Sequence, residues 1–240
     1  MDRIGIAIVG CGGMGRRHLR GLATLARTDF NNLDLLAVCD LNRQNAEDLA
    51  DEAKELLGTR PRVFTDIATM AREVEGLQAA DVTTETGAHH RAAVPCLENG
   101  LHVLCEKPLG ITIRACNAII NAAQRNNRIL SVAENFRRDP INRLIRALID
   151  DGAIGTPRMM FETTVGGANR ILITPWRHMK LTGTITLDEG VHHADIMQYY
   201  LGPVRSAYGE ARLYEKVRYN TRSAGPGGFY AKWSEAFPDQ

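Results

Sequence analysis

Three groups of residues in this 240-residue chain have types and spacing suited to chemistry. The first is Asp188-Glu189-Gly190-Val191-His192-His193-Ala194-Asp195. Intervals of four and three put Asp188, His192 and Asp195 on one face of a helix. That face suits a histidine base held by a carboxylate, a divalent metal site, or a plain polar surface, and spacing alone leaves all three open. His193 lies about 100° away around the helix. The second group is Glu106-Lys107-Pro108-Leu109, directly after an apolar run. A lysine at a strand tip, desolvated or beside another positive charge, is placed for acid–base work, and its bland counterpart is a solvated loop lysine.

The third group is the turn Gly10-Cys11-Gly12-Gly13-Met14-Gly15. It lies between an apolar run (4–9) and a helical pattern (14–26). Gly10 permits the turn, Gly12 lets the backbone approach a pyrophosphate, and Gly15 lets helix and strand pack closely. Free N–H groups at the helix start then face the phosphates. The next apolar run ends at Asp40, an acid able to accept both adenosine ribose hydroxyls and to repel a 2′-phosphate. NAD is therefore expected. Arg43, three residues on, keeps NADP possible.

The elements that position these groups follow from periodicity. Strands are expected at 4–9, 33–39, 61–64, 79–84, 101–105 and 129–133. Helices are expected at 14–26, 43–57, 66–72, 89–98 and 112–125. Strands alternating with helices make a doubly wound parallel α/β sheet, whose ligands sit beyond the carboxyl ends of the strands. Gly10, Asp40, Thr84, His89, Glu106 and Lys107 all fall on that rim. His89 has an equally simple alternative, a ring bonded to a backbone carbonyl. From residue 135 the pattern changes: a helix at 140–150, a strand at 158–165, a loop to 182, a helix at 188–200 and a strand at 204–213. This gives two domains, 1–134 and 135–240. Trp176-Arg177 is a substrate clamp or a stacked structural pair.

Composition narrows the classes. A formal charge of +1 gives no reason to expect nucleic acid or an anionic membrane surface. No apolar run reaches the roughly 18 residues needed to span a bilayer. Met-Asp-Arg leads straight into a strand, so no signal peptide is expected. Five scattered cysteines read as reduced core thiols of a cytoplasmic protein, with no zinc site.

Taken together, Gly10 to Gly15, Glu106-Lys107-Pro108 and Asp188-x-x-x-His192-x-x-Asp195 resemble the glucose–fructose oxidoreductase, inositol dehydrogenase and MocA-type (Gfo/Idh/MocA) family. The stretches GLHVLCEKPL, DDGAIGTP, PWR and DEGVHHAD occur in that family's order. The resemblance implies a Rossmann domain followed by an α+β domain with an open, mostly antiparallel sheet. It implies NAD or NADP and hydride transfer to or from a sugar, cyclitol or related polyol. By motif position Lys107 matches the catalytic lysine and His192 the acid–base histidine. Asp188 matches the carboxylate supporting lysine and substrate, Glu106 lies near the carboxamide, and Lys107–Pro108 is a cis-peptide candidate. Arg177 is a candidate for reading substrate hydroxyls.

The chain departs from the family at Gly183-Thr184-Ile185, where a glycine triplet is common, and at Glu85, where a proline is common. It is shorter than family members, so a truncated second sheet is expected, and the homo-oligomer usual for a full-length chain is doubtful here. The rival class is a non-catalytic dinucleotide-binding or redox-sensing module. It would keep Gly10 to Asp40 but have no use for Lys107, Asp188 and His192.

Overall fold

The computed structural model describes residues 3–166, 177, 179 and 182–212. The chain divides into two compact units between Ala133 and Glu134.

The first unit holds six parallel strands: β1 (Ile4–Val9), β2 (Leu33–Cys39), β3 (Arg62–Phe64), β4 (Leu77–Val82), β5 (His102–Cys105) and β6 (Leu130–Val132). Their order is β3-β2-β1-β4-β5-β6. The helices between them are α1 (Gly13–Leu25), α2 (Arg43–Leu57), α3 (Ile67–Glu73), α4 (His89–Glu98) and α5 (Ile113–Arg125). This is the dinucleotide-binding arrangement, in which strand order reverses beside β1 and opens a crevice there. β1 is apolar on both faces because both are covered. Ile6 and Ile8 pack with Leu19, Leu49 and Ala50, while Ala7 and Val9 join the cluster containing Met70, Cys96 and Ile119.

Local chemistry sets the helix limits. Asn42, Asp66 and Thr112 accept backbone N–H bonds at the starts of α2, α3 and α5. Gly58 ends α2 in the left-handed region. β4 runs Leu77–Val82, two residues earlier at each end than the expected 79–84. Past Val82 the chain turns, and the Thr83 hydroxyl donates to Gly10 O at 2.7 Å.

The described part of the second unit is helical, with α6 (Pro140–Asp150) and α7 (Thr184–Leu201). Asp139 caps α6 and Pro140 occupies its first position. Arg146 Nη1 donates to Tyr199 O at 2.6 Å, and the Tyr200 hydroxyl to Asn142 Oδ1 at 2.6 Å, tying α6 to α7.

Two expectations fail here. Residues 158–165 form no strand, and neither do 204–212, with Leu213 outside the described residues. A strand exists only through ladder bonds to a neighbour, and no partner strand occurs among the described residues of this unit. The apolar side chains remain uncovered: Phe161 is 87% exposed, and Ile141 and Leu144 on α6 stand open as well. Trp176 and the tail after Leu213 lie outside the described residues.

Candidate functional site

The glycine turn has the steric pattern that a pyrophosphate cradle requires. Gly10 lies at φ +102, and a Cβ there would stand 2.6 Å from Thr84 N. A Cβ on Gly15 would stand 2.3 Å from Gly10 O. At Gly12 a Cβ would meet nothing within 4 Å, so the space beside it is open. Gly12 is also the N-cap of α1 and provides no side-chain cap, which leaves the first N–H groups of Gly13, Met14 and Gly15 for an anion. An NAD pyrophosphate fits these residues.

Asp40 stands where β2 ends and binds its own surroundings. Oδ2 accepts Cys11 N–H at 2.7 Å, and Oδ1 accepts Asn42 N–H at 2.8 Å. Each oxygen keeps a lone pair for a ribose hydroxyl. Arg43, the residue that kept NADP possible, pairs with Glu47 one turn along α2 at 3.0 Å. Cys11 is buried, and burial pushes its thiol well above the ordinary range.

At the end of β5, Glu106 is buried and fixed through both oxygens. Oε2 accepts the Lys107 N–H at 3.0 Å, and Oε1 takes His18 Nε2 at 2.9 Å. The other ring nitrogen of His18, on α1, meets Asp81 Oδ2 of β4 at 2.7 Å. Burial opposes a charge on His18, but the two carboxylates outweigh it and raise its pKa to about 10. Burial works to raise the Glu106 carboxyl, yet His18 and the Lys107 N–H hold it below its ordinary value. Asp81 Oδ1 is buried with no hydrogen-bond partner among the described residues.

His89 is buried with its Nδ1 2.8 Å from Pro108 O and its Nε2 3.0 Å from Thr84 O. Desolvation lowers its pKa. Both ring nitrogens face backbone carbonyls, and a neutral ring donates to one of them, so His89 sits between the Thr84 turn and the Lys107–Pro108 turn and any effect on a cofactor passes through those turns. The Lys107–Pro108 peptide is cis. Glu85, at the family's proline position, accepts Gly87 N–H at 2.8 Å and caps a short 3-10 turn.

In the second unit, Asp188, His192, His193 and Asp195 of α7 meet four different side chains. Asp188 and Arg177, both buried, form an ion pair. Asp195 takes Arg137 through two bonds, Nε at 2.7 Å and Nη2 at 2.5 Å. His193 pairs with Glu162. The carboxylate on His192 comes from neither aspartate of its own helix. It is Glu134, whose Oε1 lies 2.6 Å from His192 Nδ1. The Phe136 ring stacks on His192 at 4.1 Å with 9° between planes. Glu134 is held in turn by Phe136 N–H at 2.9 Å. With Nδ1 bonded to a carboxylate, the His192 tautomer is set and Nε2 keeps the lone pair. No group of three or more His, Cys, Asp or Glu among the described residues is arranged to hold a metal.

Sequence reasoning missed His18, Asp81, Glu134 and Phe136. Two of them carried a signal. Asp81 is a charge inside a central apolar strand, and Glu134 follows β6 on the same rim rule that singled out Glu106.

Comparison with known proteins adds the following. Residues 4–134 match the family model described as an oxidoreductase family with an NAD-binding Rossmann fold, and 142–225 match the GFO/IDH/MocA C-terminal domain. The chain is 29% identical to the D-apiose dehydrogenase of Paraburkholderia graminis, over 82% of this chain and 50% of that one. It is 31% identical to inositol 2-dehydrogenase 2 of Saccharopolyspora erythraea, over 82% and 53%. The crystal structure of an oxidoreductase domain protein from Kribbella flavida superposes with a TM-score of 0.71 at 29% identity, covering 84% of this chain and 55% of that one. The chain thus spans about half the length of the curated relatives it matches. It belongs to the Gfo/Idh/MocA oxidoreductase family, and its first unit is that family's NAD-binding Rossmann fold.

Proposed function

We propose, with that family membership as the premise, that the chain is an NAD-dependent dehydrogenase acting on a CH–OH group of a sugar, cyclitol or related polyol. The observation that carries this reading is the Gly10–Gly15 turn, open at Gly12 and followed at the next strand end by Asp40. Asp40 at the end of β2 favours NAD over NADP. The relatives named as D-apiose and inositol dehydrogenases support a polyhydroxylated substrate. Five cysteines without a disulfide suit a cytoplasmic setting, and no helix among the described residues is long and apolar enough to cross a membrane.

Bound NAD would supply the hydride acceptor. The chain's own residues manage the proton and the geometry. His192, its Nδ1 on Glu134, takes the hydroxyl proton at Nε2, and Glu134 stabilises the imidazolium that forms. Lys107 is the second acid–base group, by its match to the family's lysine. Asp188 and Arg177, paired in a dry setting, orient the substrate hydroxyls.

The test is NADH fluorescence titration followed by NAD reduction across a panel of cyclitols, pentoses and hexoses. Binding with substrate-dependent NADH formation is the expected result. Binding without turnover on any member would favour a sensing module. Absence of binding would make the glycine turn purely structural.

A further inference from the structure

The His18–Asp81–Glu106 cluster is not used by the chemistry above, and its geometry constrains it strongly. Each ring nitrogen of His18 faces a carboxylate oxygen, at 2.7 Å and 2.9 Å. An ionised carboxylate only accepts, so both nitrogens must donate, and the ring is an imidazolium. A neutral ring would set one lone pair against a buried carboxylate oxygen. The charged groups acting on the ring are Asp81 from β4 and Glu106 from the end of β5, while Lys107 acts on Glu106 as well. Glu106 then passes the constraint on, because its second oxygen holds the Lys107 N–H at 3.0 Å. On the far side, Pro108 O is held by His89 at 2.8 Å. The turn bearing Lys107 is therefore gripped from two directions, and only the His18 side is ionic.

We propose that His18 is a positioning residue for Lys107: donating from both ring nitrogens, it locks the Glu106 carboxylate against Asp81, and Glu106 in turn locks the Lys107 backbone. The functional weight of this rests on Lys107 being the acid–base group proposed above, whereas the lock itself does not.

The experiment is amide hydrogen exchange at Lys107 by NMR, in the wild-type chain and in His18→Gln, with the imidazole nitrogens followed from pH 6 to 10. Both His18 nitrogens are expected to stay protonated to about pH 9, and Lys107 exchange to rise at least tenfold in the variant while α2 amides keep their rates. Ordinary titration of His18 near neutrality, or unchanged Lys107 exchange, would overturn the proposal. Should His18→Gln lose structure, Glu106→Gln decides: the His18 proton affinity must fall at least tenfold, and an unmoved titration sinks the idea. In the kinetic arm, His18→Gln lowers kcat at least tenfold with NADH affinity held within threefold. An undiminished kcat beside an active wild type would remove the catalytic part of the role. A wild type without turnover would defeat the dehydrogenase reading and leave the exchange result to judge the lock.

Discussion

The first unit and the second hold their polar groups by different means. Along the rim of the first, backbone sets position: a glycine turn with no room for a Cβ at Gly10 or Gly15, a helix start without a side-chain cap, and a His89 ring set between two carbonyls. On α7 of the second, side chains set position, with Arg177, Glu134, Glu162 and Arg137 meeting Asp188, His192, His193 and Asp195. Backbone geometry of the first kind fails as a whole when an atom is added. An ion pair can lose one charge and keep its shape. Substitutions at Gly10 and Gly15 should therefore cost stability and cofactor affinity together, while a shape-keeping change of the carboxylate behind His192 should cost chemistry and spare the fold.

The largest effect is expected from Glu134→Gln, which keeps the shape and removes the charge behind His192. Turnover should fall about 10²- to 10⁴-fold, with NADH affinity and melting temperature nearly unchanged. A melting temperature that collapses along with turnover would place Glu134 among the fold-holding groups and blur the contrast.

Two glycines three residues apart sharpen it from the other side. Gly15→Ala forces a Cβ to within 2.3 Å of Gly10 O, and overpacking of this kind costs about 1–3 kcal/mol. Chemical denaturation should register that loss together with weakened NADH binding. Gly12→Ala, whose Cβ meets nothing within 4 Å, should denature like wild type and lose only affinity. Equal destabilisation by both would mean that the opening at Gly12 is not a ligand's space.

His18 is the exception on the backbone-held rim, and pH reads it. Its pKa is raised to about 10 by the carboxylates that overcome its burial. The stability it adds is full below its ordinary value of 6.5, declines as pH rises toward 10, and is gone above that. Melting curves of wild type should fall across that window more steeply than those of His18→Gln. Parallel curves would contradict the charged ring.

The smallest effect lies at the start of α7. Thr184 sits at φ 62, in the left-handed region, just after Gly183 at φ 93. A β-branched residue there is strained by about 1–2 kcal/mol, which accounts for the family's usual glycine at this place. Thr184→Gly gives back about 0.5–1 kcal/mol through chain entropy, so the net change is a gain of at most about 1.5 kcal/mol, visible as a small rise in melting temperature. A drop of several degrees would show that the threonine is held by more than its backbone.

The difference between the units also explains what the sequence could disclose. In the first unit, local rules suffice: glycines where no Cβ fits, caps at Asn42, Asp66 and Thr112, and apolar runs buried on both faces. The α7 face was harder, since Asp188, His192 and Asp195 do share it but do not bind one another. Their partners, Arg177, Glu134 and Arg137, come from elsewhere in the chain, and helical spacing is blind to a contact 58 residues long. His18 escaped for the same reason, since its carboxylates arrive from β4 and from the end of β5. The strands expected at 158–165 and 204–213 were read from local sequence alone, which supplies no partner strand.

The most direct measurement is hydride transfer from a polyol to NAD by wild type, Lys107→Ala and His192→Asn, with NADH affinity determined on the same samples. The account predicts similar NADH binding in all three and turnover in the wild type alone. NADH binding lost in the wild type, or turnover undiminished in both variants, would contradict it.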